Sequence, residues 1–137
     1  MFRRDYIQRM IEEFGKMLSH VMGLKAMNQN EMALDELRNS YKTYFELDAD
    51  FLHAIPTEDF LEIIIGKVEL KKQHQEALAQ ALMTEGELLH DVNLFLARGL
   101  REKALRLFQH LEKTDTTTFS ISRKDAVSEL KAILELE

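Results

Sequence analysis

The stretch "MLSHVMGLKAMNQNEMALDELRNS", residues 17–40, decides the fold, because it contains one helix ending and the next beginning. Met17, Leu18 and Val21 close an apolar stripe that begins at Ile7 and passes through Met10, Ile11 and Phe14 at helical spacing. Asp5, with Gln8 three residues on, opens that first helix near residue 5, and Gly23 is its expected stop. Asn28 is placed to cap a second helix, Glu31 to return the bond, and Met27 to meet Met32 as a hydrophobic staple. Ala33, Leu37, Tyr41, Tyr44 and Phe45 carry the second stripe to about Leu47. So short a link makes the two helices antiparallel, a hairpin over about residues 5–47.

Composition agrees with this reading outside the hairpin. The 137 residues suit one domain, 1–137, and 45% hydrophobic with 31% charged residues is globular composition. One proline and five glycines leave few breaks in a chain rich in good helix formers. A net charge of −6 argues against general nucleic-acid binding, which needs cations to displace counterions. With no cysteine there are no disulfides, no zinc–thiolate sites and no thiol nucleophile. No apolar run reaches the roughly 18 residues of a membrane span, and acids interrupt "MFRRDYIQRMIEEF" where a signal peptide would stay apolar. The expectation is a soluble cytoplasmic protein with no membrane and no nucleic-acid partner.

Further along, Pro56 and Thr57 open a short apolar plug helix, 57–65, carrying Phe60, Leu61 and Ile63–Ile65 and ending at Gly66. Val68, Leu70, Leu78, Leu82, Leu89, Val92 and Leu96 predict one long helix, 68–97, with Gly86 as a point where it can divide. Gly99 separates it from a helix 101–113 on Ala104, Leu105, Leu107, Phe108 and Leu111. The polar loop "KTDTTTFSIS" leads to a C-terminal helix 122–136 opened by Ser122 and Asp125. The fold class is all-α, with five to six helices.

Two stretches share their punctuation. Residues 17–50 and "LLHDVNLFLARGLREKALRLFQHLEKTD", residues 88–115, align on Ala33 and Ala104, matching Leu24 to Phe95 and Leu37 to Phe108. This resembles the tetratricopeptide repeat, a helical hairpin of about 34 residues. Phe95 stands for its bulky residue late in the first helix, Ala104 for its small residue early in the second, and Phe108 for its later aromatic. Val21 and Val92 replace its glycine or alanine, Phe45 and Asp115 its proline, and about 70 residues separate the two alanines, twice the repeat period. The whole chain also resembles a bacterial family of tetratricopeptide-like proteins, a domain of unknown function, through "DYIQRMIEEFG", "ELDADFL", "EGELLHD" and "KALRLFQHLE". The resemblance implies a right-handed α–α array of antiparallel hairpins and transfers no catalytic residue.

Motifs with chemistry are few. The acids of "ELDAD" are spaced like a calcium loop, but from Glu46 the sixth position is Phe51 and the twelfth Thr57, where the loop needs glycine and a bidentate glutamate. The stretch reads as a helix boundary. Glu87 and His90 have the i, i+3 spacing of a di-iron bundle and Asp50 with His53 is a poorer echo, but that chemistry needs two such pairs and two further glutamates. No phosphate loop or nucleophile elbow is present, so no catalytic residue, cofactor or metal ligand is assigned. Six acids and no Lys or Arg lie between Glu46 and Glu62, while Arg98, Arg101, Lys103 and Arg106 form a basic run; each is a surface for a partner of opposite sign, or simply a solvated face. Six of seven methionines fall in the first 32 residues, where they fit either an irregular core or an adaptable surface.

The expected function is a non-catalytic protein–protein interaction module, binding another protein or peptide through Lys16, His20, Asp91, Arg98 and Arg101, which helical phase and charge single out. Uncapped hairpins also pair with their own kind, so a homo-oligomer is a second expectation. The alternative is a bundle enclosing a small apolar ligand or a metal ion.

Overall fold

The computed structural model describes residues 2–115 and 121–136. They form six α-helices and no strand: α1 Phe2–Ala26, α2 Asn30–Phe45, α3 Ala49–Ala54, α4 Lys72–Leu89, α5 Leu94–Thr114 and α6 Ile121–Leu136. Between α3 and α4 lie a 3₁₀ turn, Thr57–Asp59, and a π-helical stretch, Glu62–Lys67. None of these helices is long and apolar enough to cross a membrane.

The first hairpin is present, with different hinges. α1 passes through Gly23 because Val21 and Leu24 on either side are buried, and that packing outweighs the roughly 1 kcal/mol a helical glycine costs. The stop is Asn28 at φ 60°, left-handed, with its N–H on the Lys25 carbonyl and that of Gln29 on the Leu24 carbonyl. This is a Schellman closure, so Asn28 ends α1 and does not cap α2, and Asp5 lies inside α1. Glu46, also left-handed at φ 57°, ends α2, and Asp48 precedes α3, so the acidic stretch is a helix boundary.

Three further expectations are corrected. α3 is an additional turn of helix, with Leu52 buried beneath it. The plug helix is instead the 3₁₀ turn and π stretch, closed by the Val68 N–H on the Ile63 carbonyl, and it buries Phe60 and Ile64 completely. The long helix 68–97 does not exist. In its place α4 starts at Lys72, stays continuous at Gly86 and ends at Leu89, and the chain turns at residues 90–93, where the Asn93 side chain accepts the Leu96 N–H at 3.1 Å and starts α5. α5 then runs through Gly99, so Phe95 and Ala104 share one helix and the second hairpin is α4–α5. Phe95 is exposed where Leu24 is buried, so their matched roles fail. The α6 start agrees within a residue, with Ser122 already helical; residues 116–120 of the polar loop lie outside the described residues.

α4 is the centre. Ala77, Leu78, Ala79, Ala81, Leu82, Leu88 and Leu89 are buried and make a broad apolar face, while Glu76, Gln80, Met83, Thr84 and Glu87 keep the remaining face in partial contact with solvent. It packs most extensively against α5 and also against α2 and α1, while α6 packs on α5. Gly86 sets the α4–α5 approach: a Cβ there would lie 2.8 Å from Arg101 Cγ and 3.2 Å from the Ala97 carbonyl. Phe14, Tyr44 and Phe45 join α1 to α2 edge to face, with centroids 5.5 and 6.0 Å from Phe14. Buried Arg123 holds α6 through Glu76 at 3.1 Å and Asp115 at 3.3 Å.

Candidate functional site

A carboxylate lies in the middle of the fold. Glu85 of α4 is 0% exposed and takes donors from two other helices. Tyr41 Oη of α2 donates to Oε1 at 2.6 Å, and Arg38 Nε of α2 and His53 Nε2 of α3 donate to Oε2 at 3.0 and 2.8 Å. Facing a carboxylate, His53 Nε2 must carry a proton. Burial alone would raise the Glu85 carboxyl, but bonds from His53, Tyr41 and Arg38 and the His53 charge outweigh it and hold it below its ordinary value. Burial, then the Glu85 charge, push the Tyr41 phenol well above its usual value. Buried Lys103 of α5 donates to the carbonyls of Leu52 and His53 at 2.9 and 3.2 Å, and desolvation lowers its ammonium against the opposing pull of Glu85. These groups saturate one another and pin α3 to α4 and α5.

Beside this cluster the surface opens. A cleft of about 330 Å³ lies between residues 53–57 and the first half of α5, lined by Ile55, Pro56, Leu96, Leu100 and Lys103 among others. At its edge Phe95 is 91% exposed. Val92 at 68% and Leu94 at 49% adjoin it in sequence, so the α4–α5 turn carries three large apolar side chains in water. Lys25, at the end of α1, pairs with Glu87, at the end of α4, at 2.7 Å, which sets the two hairpin tips side by side. The α1–α2 tip adds exposed Met27 and Met32. A second cleft, of about 350 Å³, lies between these helix ends and α6 and is lined by Lys25, Glu87, His90, Asp91, Arg101 and Leu130 among others.

The five residues chosen by phase and charge separate. Asp91 and Arg101 both line the second cleft, and Arg98 lines the first, paired with Glu102 at 3.1 Å. Lys16 and His20 lie exposed on α1, with His20 bonded to Glu36 of α2 at 2.6 Å. Arg101 is corrected: it is only 4% exposed, packs on Gly86 and donates to His90 Nδ1 at 3.0 Å, so it does not offer its charge to a partner. Lys103 likewise turns inward from the basic run. Glu87 is paired with Lys25 and His90 with Arg101, and among the described residues no group of three His, Asp or Glu side chains is placed to hold a metal ion.

Sequence reading passed over Glu85, and it took Phe95 for a packed residue late in a helix instead of an exposed one at a helix start. Glu85 had a signal: Ala81, Leu82, Leu88 and Leu89, its neighbours three and four positions away, are all apolar, so its side chain falls on a buried face. Phe95 had one too, in Asn93 as a cap that places it on the first turn of a new helix. No family model matches the chain, and no curated protein or solved structure is similar enough to stand beside it.

Proposed function

We propose that this chain is a non-catalytic protein-binding module, built as a tetratricopeptide-like pair of hairpins, whose docking surface is the apolar corner around Phe95. The observation that carries this is the exposure of Val92, Leu94 and Phe95 together, beside an apolar cleft. The fold needs only Asn93 at that turn; polar residues would serve at the three exposed positions. Contiguous apolar surface of this kind marks interaction sites, and an exposed aromatic beside a pocket is the usual anchor of an interface. The saturated bonding around Glu85 supports a structural role for the one cluster that otherwise looks like chemistry. The cysteine-free composition fits a cytosolic setting.

An affinity pull-down from the source cells, run with the parent chain and with Phe95→Asp, tests this. A partner that recurs with the parent and is lost with Phe95→Asp, while Lys16→Glu retains it, is the expected result. Identical captures with the parent and Phe95→Asp would remove the corner from the account.

A further inference from the structure

The surface that runs from Phe95 along the outer side of α5 is complementary to itself, and we propose that its occupant is a second copy of this chain, packed about a two-fold axis. This rests on the corner's being a docking surface and goes on to name what docks. In a two-fold interface each patch meets the partner's counterpart, so a surface that carries a projection next to a recess satisfies both at once. Phe95 is the projection, almost wholly in solvent, and the cleft behind Ile55 and Pro56 is the recess. A cavity of roughly 150 Å³ admits benzene, so about 330 Å³ takes the partner's Phe95 ring with space to spare. The recess is then completed only by the other copy.

Charge repeats the pattern. Exposed Glu58, Asp59 and Glu62 lie on the segment that runs beside α5, and exposed Arg106 and Lys113 lie on α5 itself, sharing a shallow groove with Leu61. These five groups make no ion pair and no side-chain hydrogen bond among the described residues, although the Thr57–Asp59 turn, which carries two of the acids, packs against the helix that carries the bases. A two-fold rotation lays each acidic strip on the other copy's basic strip. The dimer gains steering and register from charges that do nothing within one chain.

Sedimentation equilibrium of the intact chain, from micromolar to near-millimolar at physiological salt, tests the proposal. The expected mass rises from 16.0 kDa towards twice that value. Phe95→Asp should weaken association by about thirtyfold or more, as loss of a central aromatic anchor does. Its thermal unfolding should stay at the parent's, since the ring touches no core. Glu58→Lys with Asp59→Lys, and Arg106→Glu with Lys113→Glu, should each be monomeric alone and should associate when mixed. A chain that stays at 16.0 kDa throughout, or a dimer indifferent to Phe95→Asp, would overturn the proposal. A monomer that still captures a different partner through Phe95 overturns self-association and leaves the docking corner standing. A monomer with no Phe95-dependent partner removes both.

Discussion

Replacing Glu85 by alanine should be among the most damaging single changes in this protein. The side chain is completely buried and receives three donors, so its removal leaves Tyr41, Arg38 and His53 facing a void. Those three do not suffer equally. Arg38 has a third of its side chain in solvent and recovers water, and His53 recovers some. Tyr41 is fully buried, and its stranded hydroxyl costs about 1–3 kcal/mol by itself. With the broken charge pairing, the total is about 3–5 kcal/mol, the range for removing one partner of a buried pair. For a chain of this length that is a fall in Tm of roughly 10–20 °C. Urea unfolding followed by helical circular dichroism measures it, with the slope unchanged. Tyr41→Phe should cost about 1.5–3 kcal/mol because the bond reaches a charged acceptor. The double variant should lose less than the sum, by about 0.5–3 kcal/mol, since both changes remove one bond. A loss below about 1 kcal/mol for Glu85→Ala would mean that water reaches the carboxylate, and the reasoning would fail.

Gly86→Ala should gain about 1 kcal/mol of helix propensity and lose about 1–3 kcal/mol to overpacking on Arg101 and the Ala97 carbonyl. A net destabilisation in the same urea assay is expected, and a stabilised variant would show that α5 shifts freely. Lys103→Met keeps the aliphatic stem but leaves the Leu52 and His53 carbonyls without their donor. Hydrogen exchange should then accelerate across α3 more than in the middle of α4, and equal acceleration would contradict the local anchoring. Because the folded Glu85 carboxyl sits below its ordinary value, its contribution is complete above the unfolded carboxyl's value of about 4.3 and fades as pH falls through the lower folded one. The stability gap between the parent and Glu85→Ala should therefore narrow under acid, and a gap that is constant on acidification would refute the linkage.

The all-α class was legible because apolar spacing is a local property, and residues 17–45 carry it through both helices of the first hairpin. The errors fall where tertiary packing overrode punctuation. Gly23 and Gly99 read as breaks, yet both lie inside helices, and at Gly86, where the helix could have divided, the missing Cβ serves close packing against α5. The actual stops are Asn28 and Glu46 in left-handed backbone, a conformation asparagine tolerates and a glutamate rarely advertises. The site was less legible. Charge and phase chose Arg101 as a surface residue because a linear pattern cannot see that the α4 glycine opposite it makes room for a buried guanidinium. Tyr41, His53 and Glu85 are separated by up to 44 positions, so their convergence exists only in three dimensions. Phe95 was misplaced by a single wrong turn, at Gly99 instead of Asn93, which moved it from an exposed first turn to a buried last one.

The corner around Phe95 is tested most directly by placing a photoreactive phenylalanine analogue at position 95 and irradiating living source cells. The account predicts a discrete covalent adduct to a protein, absent when the same analogue replaces exposed Lys16 on α1. An adduct at twice the mass of the chain would identify the partner as a second copy. Labelling at position 95 no stronger than at position 16 would contradict the docking corner.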